Sequence, residues 1–212
     1  MEFLVTMTTH VPEGTSDAAI DDVRTREAAH SLELAADGRL LRLWRPPLGP
    51  GEWRTLGLFD AEDRAALDTV LLSMPLRVWR TDEVAPLSPH PNDPGRHIDQ
   101  RGSSAPPGPD SEFFTTFTVT VPPGTPSDVV DEVNAKEAGR ARELAALGRL
   151  LRLWALPGDG RTLGLWRAGR AEEMDAILGS LPLQPWAQVE TIRLAPHPSD
   201  PGLTKLRLRQ RQ

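Results

Sequence analysis

The chain has 212 residues, a formal net charge of −6 and no cysteine. Its length fits two small domains better than one. The lack of clustered Lys and Arg argues against nucleic-acid binding, because neutralising phosphates requires such clusters. The lack of cysteine excludes disulfides and cysteine-ligated zinc, and no apolar run reaches the roughly 20 residues of a membrane helix. We therefore expect a cytoplasmic protein that does not enter a membrane.

The first half of the chain predicts a β-α-β-β-α-β order of elements. Residues 2–9 alternate and include β-branched and aromatic types, which is typical of a strand. A helix is predicted from an N-cap at Ser16 or Asp17 to about Asp37, where Gly38 supplies the stop. The remaining predicted elements are a strand at 39–45, a strand at 53–59, a helix at 60–73 and a strand at 78–87. This order is the ferredoxin-like arrangement.

Most of these elements occur twice. Gly38–Trp44 recurs unchanged as Gly148–Trp154, and Arg54–Leu58 recurs as Arg161–Leu165. The loop after Trp44 is three residues shorter in the second copy, a change that loops tolerate. A stretch rich in Pro, Gly and Ser separates the copies and is typical of a linker. The predicted domains are a first module at 1–95, a linker at 96–111, a second module at 112–203 and a polar tail at 204–212.

A four-stranded sheet with both helices on one side leaves its other face open. Packing two such sheets together covers both faces, and joining the modules in one chain makes this association intramolecular. We therefore predict an α+β protein in which two ferredoxin-like modules pack as an intramolecular dimeric α+β barrel. Further association of these pseudo-dimers into homo-oligomers through their outer surfaces is compatible with this arrangement.

A glutamate interrupts the apolar stripe of the first predicted helix. At the spacing of one helix face, the stripe consists of Ile20, Val23, Glu27, Ser31 and Leu34. Glu137 has the same place in the second copy. An unpaired buried carboxylate is unfavourable, so two interpretations arise. The glutamate is either a general base for proton transfer or a structural group paired with a nearby arginine, such as Arg24, Arg26 or Arg42.

The second predicted strand places Arg42 and Trp44 on one face, and the second copy repeats them as Arg152 and Trp154. An Arg beside a Trp can hold a carboxylate on a flat ring, since guanidinium offers two parallel N–H groups and indole offers its face. The alternative is a surface Arg that covers a core Trp. The pattern alone leaves both interpretations open.

Three further residues are candidates for substrate binding. Arg45 adds a cation in the first copy only, because its counterpart is Ala155. His90 and His197 follow the last strand of each copy in Pro-His-Pro segments, where a His is either a proton carrier or a capping or surface group. The sequence contains no metal-binding His pattern, no phosphate-binding Gly loop and no nucleophile elbow. We therefore predict no metal and no cofactor.

Short motifs follow one another in a specific order along the chain. They are Arg26-Glu27-Ala28, Glu33-Leu34, Gly38, Leu43-Trp44-Arg45, Leu58-Phe59, Leu181-Pro182-Leu183 and a His-Pro-x-Asp-Pro segment. The first copy has Met74-Pro75-Leu76 where the second has Leu-Pro-Leu. In this order and spacing they resemble the muconolactone Δ-isomerase family. The resemblance covers nearly all of residues 1–95 and 112–203.

This resemblance implies a cofactor-free isomerase that acts on a small unsaturated lactone or a related carboxylate. The family forms dimeric α+β barrels, often built into decamers, and converts muconolactone into 3-oxoadipate enol-lactone in catechol breakdown. A base removes the ring proton next to the ring oxygen and returns it next to the carbonyl. Glu27 and Glu137 would be that base. The residues expected around the substrate are Arg42 and Arg152 on its carboxylate or oxyanion, Trp44 and Trp154 along the pocket, and Arg45, His90 and His197 as further contacts.

Two features depart from the family pattern. Family proteins are single modules, whereas this chain is doubled, and the copies have diverged at positions such as His30, which is Arg140 in the second copy. Either one pocket has lost activity or the pair acts on a different substrate. The alternative functions are a cofactor-free cyclase or lyase in natural-product biosynthesis and a non-catalytic small-molecule binding module.

Overall fold

The computed structural model describes residues 1–96 and 111–202. Within these ranges the protein is α+β, with eight strands in antiparallel pairs and four α-helices. The predicted linker and polar tail lie outside the described residues, apart from the two ends of the linker. One of these, Ser111, is already the first residue of a strand.

Each sequence repeat has the predicted β-α-β-β-α-β order. The first repeat contains β1 (Glu2–Thr9), α1 (Asp17–Ala36), β2 (Leu40–Arg45), β3 (Arg54–Asp60), α2 (Arg64–Ser73) and β4 (Arg80–Pro89). The second repeat contains β5 (Ser111–Val119), α3 (Ser127–Ala146), β6 (Leu150–Ala155), β7 (Arg161–Ala168), α4 (Ala171–Gly179) and β8 (Ala187–Pro196).

The ends of α1 are set by local chemistry. The Ser16 hydroxyl accepts a hydrogen bond from the backbone N–H of Ala19, at 3.3 Å, which caps the first turn. Gly38 has a φ of +74°, a left-handed conformation that glycine adopts without a Cβ clash, and it ends the helix. Both signals were predicted from the sequence, so the helix boundaries agree with the expectation to within a residue or two.

The region around α2 differs from the prediction. The helix begins at Arg64 rather than at residue 60, because the Asp63 carboxylate caps it by accepting from the Ala66 N–H at 2.8 Å. After the helix, Pro75–Trp79 form a 3₁₀ helix where a strand was expected from residue 78 onwards. Proline fixes φ near the helical value at the first position of that turn, so the strand starts later.

The described chain forms two compact units, and each contains most of one repeat and the end of the other. The first unit comprises residues 1–87 and 195–202. Its strands lie in the order β4-β1-β3-β2, all antiparallel, and the end of β8 pairs with β2 at Arg45 and Ala195. Its core contains Phe3, Val5, Leu34, Phe59, Leu67 and Leu71.

The second unit comprises residues 88–96 and 111–194. Its strands lie in the order β8-β5-β7-β6, and the end of β4 pairs with β6 at Ser88 and Ala155. Its core contains Phe113, Phe117, Leu144, Leu150, Trp166 and Met174. The His-Pro-x-Asp-Pro-Gly segment that follows each repeat's last strand therefore belongs to the unit built mainly from the other repeat.

Candidate functional site

The first unit contains a cavity of about 350 Å³, lined by residues from α1, the strands and the segment after β8. Its charged, polar and aromatic lining groups include Arg24, Glu27, Arg45, Trp53, Arg80 and His197. Two of the predicted substrate-binding residues and one predicted base are therefore brought together here. They come from positions far apart in the sequence.

Glu27 lies in this cavity because it replaces an apolar residue on the buried stripe of α1, between Val23 and Ser31. Its Oε2 accepts a hydrogen bond from the backbone N–H of Leu76, at 2.8 Å. That N–H is at the start of the 3₁₀ helix, where backbone donors have no partner within the helix. The turn that displaces the predicted strand thus holds the carboxylate in place.

The partner of Glu27 is an arginine that the sequence did not suggest. Arg80 Nη1 lies 3.4 Å from Glu27 Oε1, and the Arg80 side chain is 1% exposed. Arg80 Nε lies 2.6 Å from Oδ1 of Asp82, so the arginine lies between two carboxylates. The expected partners have other contacts. Arg26 pairs with Asp22, and Arg42 pairs with Asp200.

These contacts act on the pKa of Glu27 in opposite directions. Burial raises the pKa of Glu27 above its ordinary value, because desolvation disfavours the charged form. The Leu76 N–H and then the Arg80 guanidinium oppose that increase, and Asp82 adds to it. The net result is a pKa of Glu27 above its ordinary value.

The second unit contains the equivalent cavity, of about 300 Å³. Glu137 Oε2 accepts from the Leu183 N–H at 3.0 Å, which repeats the contact of Glu27 with Leu76. Burial raises the pKa of Glu137, and the Leu183 hydrogen bond opposes the increase. The residue equivalent to Arg80 is Ala187, and in the described ranges no cation forms an ion pair with Glu137.

Each cavity also contains one of the predicted histidines, supplied by the other repeat. His197 lines the first cavity and His90 lines the second. The Nδ1 of His197 accepts from the Ser199 N–H at 3.2 Å, and that of His90 accepts from the Asn92 N–H at 3.1 Å. A neutral imidazole with this acceptor carries its proton on Nε2.

Both histidines have lowered pKa values, which favour the neutral imidazole near pH 7. Burial, followed by the nearby Arg45, lowers the pKa of His197 to about 4, against an opposing effect of Asp200. Burial lowers the pKa of His90, and Asp93 opposes the decrease. Each cavity therefore combines a carboxylate with a neutral imidazole that retains one N–H donor.

Arg42 and Trp44 do not line the cavity that contains Glu27. The Arg42 guanidinium binds the Asp200 carboxylate, with Nη2 and Oδ2 at 3.1 Å, and lies 4.8 Å above the Trp44 ring. Trp44 is fully buried. Asp200 also accepts from the backbone N–H groups of Leu43 and Gly202. In this arrangement the arginine covers a core tryptophan.

The second copy repeats this arrangement. Arg152 Nε lies 3.2 Å from the Asp93 Oδ1 and its guanidinium lies 4.6 Å from the Trp154 ring, while Asp93 accepts from the Leu153 N–H. A Cβ at Gly95 would meet the Arg152 side chain, which explains a glycine after Asp-Pro. The Asp-Pro-Gly segments therefore fix the histidine segments to β2 and β6, and Arg152 and Trp154 do not line the second cavity.

Sequence reasoning missed Arg80, Trp53 and Trp166. Trp53 lies under Arg24, whose guanidinium is 4.5 Å from the ring, and both line the first cavity. Trp166 lines the second cavity. Comparing β4 with β8 in the sequence could have indicated Arg80. Arg80 and Asp82 lie on one strand face in the first copy, and the second copy has Ala187 and Val189 at these positions.

Two further properties concern the described ranges as a whole. No group of three or more His, Asp or Glu side chains in residues 1–96 and 111–202 is arranged to hold a metal ion. None of the helices in those ranges has both the length and the apolar character needed to span a membrane.

Comparisons with known proteins agree with the repeat. The sequence profile of the family described as muconolactone delta-isomerase matches residues 1–93 and 111–200. Muconolactone Delta-isomerase 1 of Acinetobacter lwoffii is 33% identical over 92 residues, which are 43% of this chain and 93% of that protein. Muconolactone Delta-isomerase of Cupriavidus pinatubonensis strain JMP 134 is 32% identical over 92 residues, 43% of this chain and 97% of that protein.

A solved structure shares the fold over nearly the whole chain. It is a heme-binding protein from Thermus thermophilus, 10% identical, with a TM-score of 0.58, covering 94% of this chain and 93% of that one. At this identity the likeness concerns the fold alone. Because the family profile matches most of the chain in two segments, the protein belongs to the muconolactone Δ-isomerase family, with two copies of the family module.

Proposed function

We propose that the protein is a cofactor-free isomerase that shifts the ring double bond of an unsaturated lactone of the muconolactone type. The observation that carries the proposal is the carboxylate of Glu27, held in a cavity by the Leu76 N–H and accompanied there by a neutral histidine. Glu137 repeats the arrangement. Proton transfer between two carbons needs a base that can accept a proton and release it again, and a carboxylate with a raised pKa is suited to this.

In the proposed reaction, Glu27 removes the proton from the ring carbon next to the ring oxygen. The C–H electrons move into the ring, the double bond shifts, and negative charge develops on the lactone carbonyl oxygen as a dienolate. The protonated glutamate then returns the proton to the carbon next to the carbonyl. The Leu76 hydrogen bond leaves the remaining lone pairs of the carboxylate available to accept the proton.

The dienolate oxygen needs a hydrogen-bond donor, and His197 is our candidate. Its Nδ1 is occupied by the Ser199 N–H, so the neutral ring presents Nε2–H as a donor. A neutral imidazole donates to an oxyanion without transferring its proton prematurely. His90 supports the same role in the second cavity.

Arg45 is our candidate for binding the substrate carboxylate. It lines the first cavity, close enough to His197 to lower that residue's pKa. The other candidate, Arg42, is less suitable because its guanidinium is bound to Asp200 outside the cavity lining. Guanidinium and carboxylate form a charge-assisted pair, so a lactone with an acidic side chain fits this cavity.

The intramolecular dimeric α+β barrel expected from the sequence remains a prediction. Homo-oligomers of such pseudo-dimers remain a prediction.

The test is turnover of muconolactone by the full chain, followed as formation of the enol-lactone. The control is the Glu27→Gln, Glu137→Gln double variant, whose fold is checked by circular dichroism. We expect turnover by the wild type and its loss in the folded double variant. Turnover that survives in the variant would exclude the glutamates as the base. No turnover by the folded wild type would exclude this substrate and favour the cyclase, lyase or binding-module alternatives.

A further inference from the structure

The two cavities share their glutamate and histidine but differ in charge. Among the described lining residues, the first cavity has three arginines and the second has none. At the equivalent positions, Arg24, Arg45 and Arg80 are replaced by Asn134, Ala155 and Ala187. A charged ligand therefore meets very different surroundings in the two cavities.

The first cavity offers an anionic ligand one cation, Arg45. In the described part of the chain, no carboxylate forms an ion pair with Arg45, whereas Arg80 lies between Glu27 and Asp82. A buried carboxylate requires such a partner to offset its desolvation. Arg45 supplies that partner to the ligand, and Arg80 stabilises the glutamate. The first cavity therefore suits a ligand with a carboxylate.

The described lining of the second cavity has no cation and one negatively charged side chain. Glu137 is the charged residue among the described lining groups, and it repels a second carboxylate. Most of the remaining lining is apolar, with Phe117, Val119, Leu153, Leu181, Leu183 and Ala187. Such a surface favours hydrocarbon over charged groups. The second cavity therefore suits a neutral ligand.

Trp166 adds a specific donor to the second cavity. It lines the cavity, is 1% exposed, and its Nε1 has no hydrogen-bond partner among the described residues. A buried N–H without an acceptor is unfavourable, so a ligand oxygen there is stabilising. The indole lies where a Cβ on Gly164 would meet it, and the first copy has Phe59 instead, which has no such donor.

We propose that the two cavities take different ligands, the first a lactone that bears a carboxylate and the second a neutral, mainly hydrocarbon carbonyl compound whose oxygen accepts from Trp166 Nε1–H. This assignment rests on the proposed function for the chemistry performed on each ligand. The selectivity itself is a property of binding and is measured without turnover.

The experiment is calorimetric titration of the full chain with the ring-saturated analogue of muconolactone, as the free acid and as its methyl ester. Neither compound has a ring double bond to move. We expect the acid to bind one site and the ester another, so that saturation with the ester leaves the affinity for the acid unchanged. Competition between the two compounds for one site would overturn the proposal, and this measurement requires no variant.

Two substitutions assign the sites. Arg45→Ala, which copies the natural Ala155, should weaken binding of the acid about tenfold or more, and Arg45→Lys should restore part of it. Trp166→Phe, which copies Phe59, should weaken binding of the ester about three- to tenfold. Equal loss of both ligands in either folded variant would overturn the assignment.

The outcomes separate this inference from the proposed function. Selective binding of the two analogues without turnover of muconolactone rejects the isomerase function and retains the selectivity. Turnover of muconolactone together with competition between the acid and the ester for one site retains the isomerase function and rejects the selectivity. Failure of the ester to bind overturns the assignment of the second cavity.

Discussion

The two cavities have the same framework and different linings. In both, a glutamate on the buried helix stripe accepts from a backbone N–H at the start of a 3₁₀ helix or just before it, and a histidine followed by an Asp-Pro-Gly segment lies nearby. The cations around the glutamate are present in the first cavity alone, within the described residues. The comparison shows that backbone contacts preserve the base while side chains on neighbouring strands change its surroundings.

Two of the side chains that differ between the cavities have changed together. Arg80 and Asp82 form an ion pair in the first copy, and both are apolar in the second, as Ala187 and Val189. Removing Arg80 alone would leave the carboxylates of Glu27 and Asp82 without the cation that lies between them, which is destabilising. Replacing both with apolar residues avoids that state. Loss of the pair leaves Glu137 with its backbone hydrogen bond as the main opposition to desolvation.

The largest expected difference between the cavities is in turnover. With muconolactone, which carries a carboxylate, Glu27→Gln should reduce kcat/KM about 100-fold or more, because it removes the proposed base from the cavity with the cations. Glu137→Gln should cause a much smaller reduction with this substrate. Steady-state kinetics of the two folded single variants measure both reductions in kcat/KM. A larger reduction in Glu137→Gln would reverse the assignment of the cavities.

Removing the aspartate of either Asp-Pro-Gly segment should destabilise the fold to a similar extent. Asp200→Ala removes the acceptor of the buried Leu43 N–H and one carboxylate partner of the Arg42 guanidinium, and should lower the free energy of unfolding by about 3 kcal/mol. Asp93→Ala should have a similar effect through Leu153.

Urea denaturation of both variants measures these effects on unfolding. The Asp200→Asn variant is the matched control, because it retains an oxygen for Leu43 and should be less destabilised. A large difference between the two alanine variants would mean that the segments do not have the same structural role.

The pH dependence should distinguish the surroundings of the two bases. Arg80→Ala removes a cation that lowers the pKa of Glu27, so the acidic limb of its pH–rate profile should move to higher pH. Adding Asp82→Val removes a carboxylate that raises this pKa and should move the limb part of the way back. An acidic limb that stays at the wild-type pH in Arg80→Ala would show that Glu27 does not control this limb.

The smallest expected effect is on thermal stability. The pKa of Glu137 is raised in the folded state, so ionisation destabilises the fold above that pKa and has no effect below the ordinary value of 4.5, where both states are protonated. Glu137→Gln should therefore raise Tm by a few degrees at pH 7, with a gain that vanishes in acid. Glu27→Gln should raise Tm by less, because the substitution also removes the ion pair between Glu27 and Arg80. Melting curves across the pH range measure both.

Much of this protein follows from its sequence by itself. The repeat, the order of elements and the ends of α1 could be predicted, because periodicity, caps and glycine stops are properties of the sequence itself. The placement of Glu27 on the buried stripe was readable for the same reason. That placement indicated the candidate base, whereas the resemblance to the family came from the order and spacing of short motifs.

The tertiary structure decided which side chains meet that base. Arg42 and Trp44 share a strand face and looked like a substrate clamp, yet Asp200 binds the arginine outside the cavity lining. Arg80 is distant in sequence from Glu27 and lies beside it. His197 follows the second repeat but belongs to the first unit. Contacts between residues far apart in sequence depend on which strands pair and in which register, and local sequence patterns do not determine either.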